Sequence, residues 1–117
     1  CSSDLDGPDK VLNLSEVRKL ILTHELFDND AIVLKNTSKS VTLKSEAHSR
    51  YVTIDYPGFR YLTLWQMPRL NAPFICIEPT TSLPSRLGII EDLAKQDDLI
   101  SLPAGNMYEI GIIISFG

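Results

Sequence analysis

Cysteine is scarce. Only Cys1 and Cys76 occur in the 117 residues, too few for a disulfide framework. Cys76 stands among apolar residues, where a reduced buried thiol is the simplest reading. Histidine is equally rare. His24 and His48 both lie in polar, turn-like contexts (LTHELF and EAHSR), which places them at the surface. No metal-ligand spacing, phosphate-cradling glycine loop or Ser/His/Asp order is present, so neither a metal nor a cofactor is expected. There is no run of Lys and Arg, and the net charge is −4, which weighs against nucleic acid or an anionic membrane as partner. No apolar run approaches the roughly 18 residues of a membrane span, and no signal-peptide layout is visible. We expect a cytoplasmic chain with no membrane contact.

What is present is ordinary for a globular protein: 44% hydrophobic and 22% charged residues, enough for a core and too apolar for disorder. The length allows one domain at most. The chain opens on Cys1 and a polar stretch, SSDLDGPDK, and reads as part of something longer. Residues 1–10 read as loop. Asn13 and Glu16 resemble a capping box and predict a short helical turn over 14–19, followed by irregular chain. From Asp30 the signal is β. AIVLKN (31–36) is apolar and β-branched. VTLKS, RYVTIDY and RYLTLW alternate apolar and polar residues. PFICIE puts Phe74, Cys76 and Glu78 on one face, GIIEDLAK suggests a short helix, DLISL a short strand, and MYEIGIIISF a long final strand. Short strands at spacings near ten residues, joined by Pro/Gly/Asn turns, predict an all-β, antiparallel β-sandwich with little helix.

Chemistry concentrates between Tyr61 and Pro84. Here a largely apolar strand ends in Glu78. Burying a carboxylate costs several kcal/mol unless it is paired or does chemistry. Its face-mates Phe74 and Cys76 are apolar, so the side chain is expected to point toward packed material, a setting suited to general acid–base work. The plain alternative is an edge carboxylate facing water. Trp65 could stack on the apolar face of a sugar ring while its N–H donates a hydrogen bond, or pack in the core. Asp28 and Asp30, just ahead of a strand, could accept from ligand hydroxyls or cap the turn.

These segments together resemble a known family. LTLWQMP, APFICIEPTTSLP and LPAGNMYEIGIIISF are similar to the C-terminal part of the aldose 1-epimerase (galactose mutarotase-like) proteins, and FDNDAIVL looks like the family segment that offers an aspartate to the sugar. The similarity runs from about Leu12 onward. It implies a larger β-supersandwich of which this chain is the C-terminal portion, and interconversion of the α and β anomers of a hexose. Glu78 then takes the general-base position, and Asp30, with Asp28 as second choice, accepts from sugar hydroxyls. The family's acid histidine has no counterpart here: neither His24 nor His48 stands in a matching segment. The resemblance therefore implies half of an acid–base pair, inactive alone, with a missing N-terminal segment of the same protein as its partner. The final strand, apolar on both faces, also asks for more covering protein than this chain supplies. A non-catalytic carbohydrate-binding domain of the same fold is the alternative. A glycosidase would need a second carboxylate near Glu78, and no feature selects one.

Overall fold

The structure, a computed structural model, describes residues 18–85 and 88–117 together with the backbone of 11–13. Seven strands form in chain order: β1 (Val11–Asn13), β2 (Ile32–Lys35), β3 (Ser40–Lys44), β4 (Tyr51–Asp55), β5 (Tyr61–Trp65), β6 (Cys76–Thr80) and β7 (Ile113–Phe116). They make a four-stranded sheet in the order β1-β2-β5-β6 and a three-stranded sheet in the order β3-β4-β7. Every neighbouring pair is antiparallel except β1–β2, which is parallel. The only helical elements among the described residues are 3-10 turns at His24–Phe27 and Leu93–Lys95. The chain is an all-β sandwich.

Register decides what each face holds. Leu62 and Leu64 of β5 stand opposite Leu34 and Ile32 of β2, and with Ile54, Tyr56 and Phe27 they form the buried core. Val41 and Val52 of the second sheet pack against it. Alternation in β3 and β4 thus places one apolar row inward and leaves Thr42 and Thr53 outside, their hydroxyls 2.9 Å apart. In the middle of the larger sheet the outer face is covered too: Val33 and Thr63, paired across β2 and β5, are both buried, as expected for central strands shielded on two sides. Between β4 and β5 the Pro57-Gly58 turn needs a positive φ, 87° at Gly58, which glycine adopts without cost. Ile110 rests against this turn.

Several expectations need correction. The strand over PFICIE begins only at Cys76 and runs on through Pro79 and Thr80; Phe74 precedes it. DLISL forms no strand, and GIIEDLAK yields only the 3-10 turn. In the second segment the Asp92 side chain accepts from the Ala94 N–H two residues on, a local bond that favours a turn over regular structure. The long final strand shrinks to β7, because residues 107–112 find no neighbouring strand. The loop expected over residues 1–10 and the 14–17 part of the expected helical turn lie outside the described residues. Asn13 instead ends β1, and 18–20 are irregular. Among the described residues no helix is long and apolar enough to cross a membrane.

Candidate functional site

Glu78 lies in the middle of β6, opposite Thr63 of β5. Leu62 and Leu64 face the core, so Thr63 and its partner Glu78 face the other way. The expected orientation toward packed interior is therefore replaced by a half-buried position on the outer face of the sheet. Phe74, expected to shield it, is 47% exposed. β6 is also an edge strand, so part of the plain alternative holds. Glu78 lines an open groove of about 730 Å³, with the buried Thr63 hydroxyl beside it.

The walls of that groove come from two segments distant in sequence. One is 80–84, immediately after β6; the other comprises Ile100, Leu102, Tyr108 and Ile110. Asp98 ties them together. Its Oδ2 accepts from the backbone N–H of Leu83 at 2.8 Å, and its carbonyl accepts from the Arg60 guanidinium at 3.2 Å. The Arg60 backbone N–H in turn donates to the Thr80 carbonyl at 3.0 Å. Polar residues on the lining are Glu78, Thr63, Thr80, Thr81, Ser82 and Tyr108, set among apolar walls. The Thr80 hydroxyl oxygen is buried without a partner among the described residues, a cost of about 1–3 kcal/mol if nothing ever pairs with it. Glu78 is the one charged side chain among the described lining residues.

Trp65 shares the outer face with Glu78: it stands opposite Cys76, two residues before the glutamate. Its ring lies 6.1 Å from that of Phe74 at an interplanar angle of 40°, and it is half-buried. The two aspartates lie outside the groove lining. Asp30 adopts φ 99°, and its Oδ1 accepts from the Ala31 N–H at 2.7 Å. Asp28 accepts from the Arg69 N–H at 3.1 Å. Each thus caps the backbone with one oxygen. The structure brings Trp65 and Glu78 onto one surface and leaves Asp28 and Asp30 at the turn before β2.

Both histidines are exposed. Gln66, buried, donates through Nε2 to the carbonyls of Ala72 and Phe74 at 2.9 and 2.6 Å. Its Oε1 therefore faces His24 Nδ1 at 2.7 Å, which must donate. Neither His24 nor His48 lines the groove. Sequence reading missed the groove walls, Asp98 and Gln66. A buried amide following an alternating strand was the available signal for Gln66; nothing local marks Asp98.

Fold and site together define a β-sandwich with a single carboxylate set among hydroxyls in an open cleft. Over 114 residues the chain is 32% identical to the protein LacX of Lactococcus lactis subsp. lactis, in both its plasmid and its chromosomal forms. The aligned region takes in 93% of this chain and 38% of the relative, so the chain spans well under half the length of the curated proteins it matches. No family model and no solved structure matches it.

Proposed function

We propose that this chain carries the base half of an aldose 1-epimerase-like site, acting on a hexose. The observation that carries the reading is the placement of Glu78. It sits on the outer face of the larger sheet, in a cleft of hydroxyls and apolar walls, with no described cation lining it. A sugar needs hydrogen-bonding groups and apolar surface for its ring faces. The segments that resemble the family and the similarity to LacX support the same reading.

The chemistry needs one base and one acid. Glu78 accepts the proton of the C1 hydroxyl as the C1–O5 bond breaks and an acid protonates O5. The open-chain aldehyde turns about C1–C2 and closes on its other face, and both protons return. The described histidines of this chain are turned elsewhere, so the acid comes from protein beyond the groove described above. The test is anomer exchange of glucose and galactose, followed by polarimetry or NMR, for the full-length protein and its Glu78→Gln variant. General-base catalysis is worth about 10²–10⁴-fold, and a loss of that size is expected. Equal rates would remove Glu78 from the mechanism. If the full-length protein binds sugar saturably without accelerating exchange, it is a carbohydrate-binding domain.

A further inference from the structure

Two polar residues of β6 share the wall of the groove. Strand alternation puts Thr80 on the same outer face as Glu78, with Tyr61 opposite the one and Thr63 opposite the other. Both line the groove. Two residues along a strand span about 6.7 Å, close to the reach across a pyranose ring between hydroxyls on opposite sides.

The backbone at Thr80 is fixed. Its carbonyl accepts from the Arg60 N–H at 3.0 Å, and the Arg60 guanidinium donates to the Asp98 carbonyl at 3.2 Å. Asp98 Oδ2 accepts in turn from the Leu83 N–H at 2.8 Å. These bonds clamp residues 80–83, and the ring of Pro79 locks φ just before them. The clamp leaves the Thr80 side chain idle. Its Oγ1 is buried and has no partner among the described residues, whereas folded proteins pair nearly all of their buried polar groups. An unused hydroxyl on a fixed wall, beside the charged Glu78, fits a partner that comes and goes.

We propose that Thr80 is a specificity-determining residue of the Glu78 site, its hydroxyl pairing with the C3 or C4 hydroxyl of a hexose whose C1 hydroxyl meets Glu78. The inference rests on the sugar reading given above. With its oxygen screened from water, Thr80 meets the groove through its other atoms. A χ1 step between staggered wells exchanges methyl and hydroxyl and delivers the oxygen to the ligand. The step breaks no described hydrogen bond, because Oγ1 makes none. Being both donor and acceptor, the threonine hydroxyl matches a sugar hydroxyl, while Leu83, Ile100 and Leu102 supply apolar surface for the ring.

The experiment measures anomer exchange and sugar binding by the full-length protein and its Thr80→Val and Thr80→Ser variants. Valine copies the shape without the hydroxyl. KM should rise about threefold to tenfold, the worth of one hydrogen bond, with kcat nearly unchanged. Serine keeps the hydroxyl and should restore KM. Removal of an unpaired buried hydroxyl should leave the denaturation midpoint of Thr80→Val unchanged or higher. With glucose lacking either its C3 or its C4 hydroxyl, the difference between parent and Thr80→Val should vanish; glucose lacking the C6 hydroxyl should preserve it. If binding occurs without exchange, the same ratios are read in Kd. Three results would each overturn the proposal and leave the role of Glu78 standing: parental KM in Thr80→Val, a difference that survives on both the C3 and C4 deoxy sugars, or a lowered midpoint at unchanged KM, which gives the hydroxyl a structural partner instead. A parent that neither exchanges nor binds sugar would overturn both readings.

Discussion

Tyr56 shows how a single residue can couple stability to pH. It is fully buried, and its phenol donates to the Thr37 hydroxyl at 2.8 Å. Burial raises its pKa above the ordinary value of 10.0, and the Thr37 bond offsets part of that rise. The unfolded chain therefore loses this proton at a lower pH than the folded one. The contribution is constant below about pH 10 and declines as pH climbs from there toward the raised folded value. Denaturant melts between pH 8 and 11 should show this alkaline loss in the parent and a weaker one in Tyr56→Phe. At neutral pH that variant should cost about 0.5–1.5 kcal/mol for the lost hydrogen bond. Asp30 allows a sharper separation of roles. At φ 99° an asparagine keeps both the Oδ1 acceptor and the tolerance for a left-handed backbone. Asp30→Asn should stay within about 0.5 kcal/mol of parent stability, while Asp30→Ala should lose about 1 kcal/mol, the usual value of a lost backbone cap. Weaker sugar binding by Asp30→Asn at unchanged stability would assign it to the ligand; unchanged binding would leave it a cap.

At the level of elements, alternation was the readable signal. β3 to β5 fall where apolar residues recur with period two, β2 where a short apolar run is β-branched, and Leu62, buried in the core, follows from the alternation alone. Leu62→Ala should cost about 2–5 kcal/mol by the cavity it leaves, read as a drop in denaturation midpoint. What alternation cannot supply is pairing. Nothing in Val11–Asn13 marks it as a parallel edge strand beside β2, since three residues are too few to show a period. The run 107–116 read as one long strand because composition reports β preference, whereas a ladder needs a neighbour, and only Ile113–Phe116 has one. Glu78 was legible as an acid closing an apolar strand. Its face was not: a shift of one residue in pairing register turns every side chain over, and the register with Thr63 comes from the sheet rather than from local sequence. The groove walls were hidden for the same reason, because Asp98 joins segments that only the tertiary fold makes neighbours.

For the molecule as a whole, the turn of the β5–β6 hairpin and the stretch ahead of β7 are held very differently. The turn between the strands is fastened by Gln66 to the carbonyls of Ala72 and Phe74, and by Asp28 to Arg69. The stretch that leads from the groove to β7 is exposed throughout 101–109, with a backbone bond from Asn106 to Pro103 inside it. Backbone this open is where a protease can draw a segment into its active-site cleft. Brief digestion with a low-specificity protease, read by mass spectrometry, should cut within 101–109 well before 66–75. Such a nick would leave β7 attached to the rest of the fold by its pairing with β4 and the packing of Ile110 on the Gly58 turn. The last strand would then be a detachable peptide, and its rate of loss would measure how strongly a sandwich holds a strand by one edge.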